Sequence, residues 1–325
     1  MIAHSDILKI ASDKEFNSLA MQLFKYQYHH VDVYKQFCDA VNRTPSDVND
    51  INQIPFLPVS LFKSYDVIQN RITDYDTVFY SSGTSGQLKS KHIVADSDWY
   101  KKVSLTCFEL FFGPISSYRF IAFLPSYLEQ DHSSLVFMVK YFMSLYPSNK
   151  SLFTRSVEET KLALSKASPH TTILLGVSYA LLDLAEANIK FPYNIIVMET
   201  GGMKGRRKEM IRTEFHQTLE KAFNVGGISS EYGMTELLSQ AYSRMNGIFK
   251  CPPWMKVLIR NINDPFHYVD HGRSGTINII DLANVHSCAF ISTEDLGRSY
   301  IDGTFEVLGR SDHSEIRGCN LMYEF

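Results

Sequence analysis

Between residues 118 and 223 the chain repeats one pattern three times. YRFIAFLP is followed by SSLVFMVKYFMSLY, TTILLGVS by YALLDLAEANI, and YNIIVMETGG by RRKEMIRTEFHQTLEKAF. The first member of each pair is a nearly continuous apolar run, which suits a strand buried on both faces. The second has apolar positions at helical spacing. This alternation predicts an α/β fold with a largely parallel sheet covered by helices. With 45% hydrophobic residues in 325, the chain has enough apolar material for one large domain or two smaller ones.

The flanks read differently. Residues 5–42 are predicted helical, with Phe16, Leu19, Leu23 and Phe24 at positions that share one helix face. IPFLPVSLFK (54–63) places two prolines in extended context. TVFYSSGTSGQLKSKHI reads as a strand, a Gly/Ser/Thr loop and a second strand, followed by a helix at 97–112. From about residue 250, WMKVLIRNI, GTINIID, CAFIST and GTFEVLG are short strands between Asn, Asp and Gly turns, which predicts a small antiparallel sheet or barrel.

Several classes of function are disfavoured. A net charge of −3 leaves no electrostatic footprint for nucleic acid. The five cysteines (Cys38, Cys107, Cys251, Cys288 and Cys319) form no C-x-x-C pair, so neither a disulfide framework nor a zinc site is expected, and a reducing compartment is. The N-terminal segment has no signal-peptide pattern. The most apolar helix, LVFMVKYFMSLY, is short and interrupted by Lys140, so it is not read as a membrane span. The expected location is the cytoplasm. His132, in SYLEQDHSSL, reads as a helix-start histidine more readily than as a gate to a substrate site.

The loop at 81–91, SSGTSGQLKSK, carries the first chemical signal. Gly83 and Gly86 let backbone N–H groups approach a ligand closely. Ser81, Ser82, Thr84 and Ser85 can donate to phosphate oxygens, and Lys89 and Lys91 can offset anionic charge. The Walker spacing is absent. Such a turn on its own is most often only a loop.

Three further stretches follow in order: EYGMTE (231–236), STEDLGR (292–298) and GRSDHSEIRG (309–318). Together the four resemble the signature motifs of the adenylate-forming superfamily of acyl-CoA synthetases and luciferases. They look like its phosphate loop, its aromatic-Gly-x-Thr-Glu motif, its ribose motif and its interdomain hinge. Glu294 stands where the family usually has Gly. The resemblance implies ATP and Mg²⁺ as cofactors. It implies that Tyr232, next to Gly233, stacks on adenine, Thr235 binds the α-phosphate and Glu236 holds the metal. Asp295 would accept from the ribose hydroxyls, Arg310 would lie near the nucleotide, and Gly201 and Gly202 would admit the adenine. Taken singly, Glu236 reads equally as a surface carboxylate and Asp295 as a turn residue.

The superfamily usually continues into a small domain that carries an adenylating lysine. Here the expectation is the large domain alone, with that small domain absent. Residues 1–308 form the large domain, α/β to about residue 250 and β-rich over 251–308, and 309–325 form the hinge and a short tail. Lys89, Lys91 and Lys204 are candidates to replace the missing lysine, and the sequence does not choose among them. IPFLPVSLFK, SSGTSG, LPSYLE, YGMTE and the ending GRSDHSEIRGC are similar to one branch, the acyl-protein synthetase (LuxE) family. In that branch a cysteine near the C-terminus carries the acyl group as a thioester. Cys319, six residues before Phe325, is the cysteine in that position. Arg317 and His313 are candidates to activate it.

The implied activity is ATP-dependent conversion of a carboxylic acid, by family a long fatty acid, to acyl-AMP. Transfer to Cys319 and then to an acyl-reductase or other acceptor protein would follow. Two alternatives stay open: a ligase of the same class that uses coenzyme A or a carrier protein, and a non-catalytic nucleotide-binding subunit.

Overall fold

The computed structural model describes residues 3–82, 88–125, 127, 132–187, 189, 191, 195–202, 207 and 210–310. The helices among these are α1 (His4–Ile7), α2 (Asp13–His30), α3 (Asp32–Ala40), α4 (Leu61–Ser64), α5 (Ser97–Phe112), α6 (Ser134–Leu145), α7 (Val157–Leu164), α8 (Ser178–Glu186) and α9 (Arg212–Phe223). The strands are β1 (Leu57–Pro58), β2 (Thr77–Tyr80), β3 (Lys91–Val94), β4 (Tyr118–Phe123), β5 (Leu152–Thr154), β6 (Thr171–Val177), β7 (Ile195–Thr200), β8 (Ser229–Tyr232), β9 (Ala241–Ser243), β10 (Ile248–Phe249), β11 (Met255–Arg260), β12 (Ser274–Asp281), β13 (Phe290–Ser299) and β14 (Phe305–Arg310).

The repeated pairs build the main sheet, ordered β5-β4-β6-β7-β8-β9. Every neighbouring pair in it is parallel except β8 with β9. Ile121, Ala122, Ile173, Leu174 and Val197 are buried in it, as continuous apolar runs between helical layers require. The second sheet, ordered β10-β14-β13-β12-β11, is antiparallel throughout, and the short β1 adds to β13 in parallel. β1 is where the Pro-rich segment docks, with Val59 N–H donating to the Ser292 carbonyl at 2.9 Å. β2 and β3 pair as a hairpin beneath the 81–90 loop.

Helix α5 falls where the sequence places it, with Asp96 as its N-cap, accepting from Trp99 N–H. The helix expected from residue 206 begins instead at Arg212. CAFIST and the 292–298 motif fall largely on one ten-residue strand, β13, so Asp295 is a strand residue and not a turn residue. The N-terminal helices are tied to the body by Gln27, which is fully buried. Its amide donates to the Asn284 and Val285 carbonyls at 2.8 and 3.1 Å and accepts from Ala289 N–H at 2.9 Å. No helix among the described residues is long and apolar enough to cross a membrane.

Candidate active site

The 81–90 loop closes on itself at its neck. Ser81 N–H donates to the Ser90 carbonyl, and Ser90 N–H to Ser81 Oγ, each at 2.9 Å. Gly83, Thr84, Ser85 and Gly86 lie outside the described residues, as do Lys204, His313, Arg317 and Cys319. Of the candidate lysines, Lys91 is paired with Asp66, whereas Lys89 is exposed at the end of the loop. The geometry therefore favours Lys89 over Lys91 as a charge available to an anion.

Against this neck stands the 231–236 motif. Tyr232 is the last residue of β8, and its hydroxyl donates to Asp295 Oδ2 at 2.8 Å. Asp295 and Arg310 are cross-strand partners of the β13–β14 ladder. The Arg310 guanidinium lies 3.6 Å from both Asp295 Oδ1 and Glu294 Oε2. The position where the family has Gly is thus filled here by a second carboxylate for Arg310. Tyr232 is edge-on to Phe249 and Phe305, with ring centroids 5.9 and 5.6 Å away. Adenine stacking would have to use what remains of its face.

Glu236 is buried, which pushes its carboxyl above the usual range. A hydrogen bond from Ser90 and the Arg310 charge pull it back, and Asp295 adds to the rise. Asp295 is likewise raised by burial and restrained by the Tyr232 hydroxyl and by Arg310. A buried carboxyl, Glu236, and a partly buried one, Asp295, thus share the exposed guanidinium of Arg310. Among the described residues no three His, Cys, Asp or Glu side chains cluster to hold a metal. One carboxylate from Glu236 fits Mg²⁺ that takes its remaining ligands from phosphate and water.

Residues outside the motifs hold these groups in place. His92 on β3 is buried and faces the Thr235 carbonyl through Nδ1 at 2.8 Å. A carbonyl only accepts, so Nδ1 carries the proton. Burial lowers the His92 pKa to about 4, so the ring is neutral near pH 7. Asn284 donates to the Glu236 carbonyl at 2.8 Å. Asp281, fully buried, accepts from Leu238 N–H, Ser239 N–H, Ser239 Oγ–H and Ala283 N–H. On the other side, Gly201 sits at φ +71°, and Tyr127 Oη is 3.4 Å from where its Cβ would be. Gly202 beside it is exposed.

Glu231 was readable only as the first letter of its motif, yet it is a buried acid. Thr200 Oγ1 donates to its Oε2, and its Oε1 lies 2.4 Å from where a Cβ on Gly233 would sit. A side chain at position 233 would therefore displace this carboxyl. Burial raises the Glu231 pKa to about 7, with the Glu199 charge adding to the rise. The folded protein holds a proton between pH 4.5 and 7 that the unfolded chain has lost, so stability falls as pH rises through that window. Glu231→Gln should remove that slope and gain roughly 3 kcal/mol at pH 8 relative to pH 4.5. Urea denaturation of both proteins across this range checks it, and parallel curves would contradict the assignment.

The acyl-protein synthetase (LuxE) family model matches residues 2–97 and 128–324. The chain belongs to this family. The match runs through the tail and includes Cys319. The chain is 25% identical over 328 residues to the long-chain-fatty-acid–luciferin-component ligase of Vibrio harveyi, covering 92% of this chain and 84% of that protein. The ligase of the same name from Aliivibrio fischeri is 23% identical over 333 residues, covering 94% and 86%. Among solved structures, 2-hydroxyisobutyryl-CoA ligase in complex with 2-HIB-AMP and CoA superposes with a TM-score of 0.65 at 12% identity, covering 93% of this chain and 70% of that one. ATP-bound MatB from Rhodopseudomonas palustris gives 0.56 at 16%, covering 75% and 49%, so the match spans about half of MatB's length. The fold is that of the adenylate-forming enzymes.

Proposed function

We propose that this protein activates a long-chain fatty acid with ATP and carries the acyl group on Cys319. The observation that carries the reading is the convergence of Tyr232, Asp295, Arg310 and Glu236 at the neck of the 81–90 loop. Four stretches distant in sequence meet there, two of them from a sheet different from that of Tyr232. The names of the two bacterial relatives supply the substrate class.

A carboxylate is a poor electrophile. Its oxygen attacks the α-phosphorus of ATP, the bond to the β-phosphate oxygen breaks, and pyrophosphate leaves. Asp295 holds the ribose, the 201–202 turn and Tyr232 hold the adenine, and the loop hydroxyls with Lys89 face the phosphates. Thr235, fixed through its carbonyl by His92, presents its hydroxyl to the α-phosphate. Mg²⁺ bound at Glu236 would neutralise charge on the phosphates. The Cys319 thiolate then attacks the acyl carbon, AMP leaves, and a thioester remains. From Asp312 to Cys319 is seven residues, a reach of about 25 Å when extended, enough to move the acyl group from the adenylate toward an acceptor protein.

The other cysteines support this choice by contrast. Burial pushes the Cys38 thiol up to about 12 and raises Cys107, Cys251 and Cys288 as well. None of the four is a ready nucleophile near pH 7. The test is intact-protein mass spectrometry after incubation with ATP, Mg²⁺ and a panel of carboxylic acids. The expected result is one added acyl mass, removed by hydroxylamine. Pyrophosphate release without an adduct would move the reading to a soluble thiol acceptor, and no pyrophosphate with any acid would leave only nucleotide binding.

A further inference from the structure

Arg212 belongs to none of the motifs, yet its side chain reaches several elements of the nucleotide site. It opens α9, the end of a helix where the dipole disfavours a cation. Ile211 before it offers no side-chain cap. Helix formation therefore does not account for an arginine at this position.

Its contacts do. Nη1 pairs with Glu199 Oε1 and lies 3.4 Å from Ser230 Oγ. Glu199 is buried at the end of β7, one residue before Thr200 and two before the Gly201–Gly202 turn. Burial pushes its carboxyl up, and the Arg212 charge, with His216 and Ser230 beside it, outweighs that and holds it below the usual range. The guanidinium also lies over Phe249, 5.1 Å from the ring centroid. Phe249 stacks on Phe305 at 5.3 Å, and both rings brace Tyr232 edge-on. The Arg212 charge also offsets a small part of the rise that burial causes at Asp295. The stem runs past Gly247, where a Cβ would come within 2.5 Å of Arg212 Cδ. Its Nε is buried without a hydrogen-bond partner.

We propose that Arg212 is a positioning residue for the adenine side of the nucleotide site. Through Glu199 it fixes the strand that leads into the 201–202 turn, and through Phe249 it fixes the ring of Tyr232. A planar guanidinium can pair with a carboxylate and cover a ring at once, whereas an ammonium is a point charge. The proposal rests on the ATP-dependent reading above.

The test compares wild type, Arg212→Lys, Arg212→Gln and Phe249→Leu. ATP affinity is measured by calorimetry without any acid, and the ATP dependence of pyrophosphate release with one. Arg212→Gln should raise the Kd and KM for ATP roughly tenfold to a hundredfold, with kcat and the KM for the acid little changed. Arg212→Lys should fall between it and wild type. Phe249→Leu, which leaves the Glu199 pair in place, should also weaken ATP binding. Normal KM with a lower melting temperature and a smaller active fraction would mean that Arg212 only stabilises the fold, and would overturn the proposal. A wild type that binds ATP but releases no pyrophosphate would sink acyl activation, while the ATP affinities would still decide Arg212. A wild type that binds no ATP would overturn both.

Discussion

Cys319→Ala should form acyl adenylate and release pyrophosphate in the first turnover, yet gain no acyl mass. The groups proposed to carry adenylation all lie between residues 81 and 310, whereas the proposed carrier thiol lies in the tail. Removing the thiol takes away only the second acceptor, so the activated acyl group has nowhere to go and turnover stops. Rescue by another cysteine is not expected. A thiol with a pKa of about 12, as at Cys38, is thiolate in roughly one part in 10⁵ near pH 7. The measurement is intact mass and pyrophosphate release on the variant beside wild type. An adduct that survives in the variant would assign the acyl group to a different nucleophile. Lost pyrophosphate release would mean that the tail also takes part in adenylation.

The second large effect is expected at Glu236, where stability and activity should move in opposite directions. Its carboxyl is buried, and burial raises its pKa beyond what Ser90 and Arg310 restore. A group whose folded pKa is raised costs stability above that pKa, because the unfolded chain ionises more readily. Glu236→Gln keeps the shape and removes the charge. The variant should melt no lower than wild type at pH 8, with the difference closing at acid pH, where the wild-type carboxyl is already neutral. Adenylation should nonetheless fall by roughly 10²- to 10³-fold, as expected when a preorganised charge at a phosphoryl centre is lost. Thermal melts at both pH values, alongside pyrophosphate release, check this. Activity lost together with stability would make Glu236 a structural acid and not a functional one.

Much of this site was legible in the sequence, and the reason is local. Tyr232, Glu236, Asp295 and Arg310 stand in short motifs, and the resemblance of those motifs to a known family is what implied their roles. Glu231 was inside a motif but carried no mark of its burial. His92, Asn284, Asp281 and Arg212 gave no signal at all. Each matters through a partner outside its own element, as with His92 and Thr235, 143 residues apart, or Asn284 and Glu236, 48 apart. The helix expected from residue 206 begins at Arg212, where a cation is needed by Glu199 although the helix end disfavours it. The short β5 and α7, between the first and second strand–helix pairs, are too brief to show a period.

The sequence by itself determined the parallel sheet, the antiparallel second sheet and the kinds of group available for nucleotide chemistry. Those follow from periodicity, turn residues and side-chain chemistry, all of which act over a few neighbouring positions. Only the tertiary structure decided which polar groups meet. A buried carboxyl, imidazole or guanidinium costs free energy until it finds its partner. The packing of the two large sheets brings Tyr232 onto Asp295, the β2–β3 hairpin brings His92 onto Thr235 and helix α9 brings Arg212 onto Glu199, and no local pattern in the chain encodes those pairings.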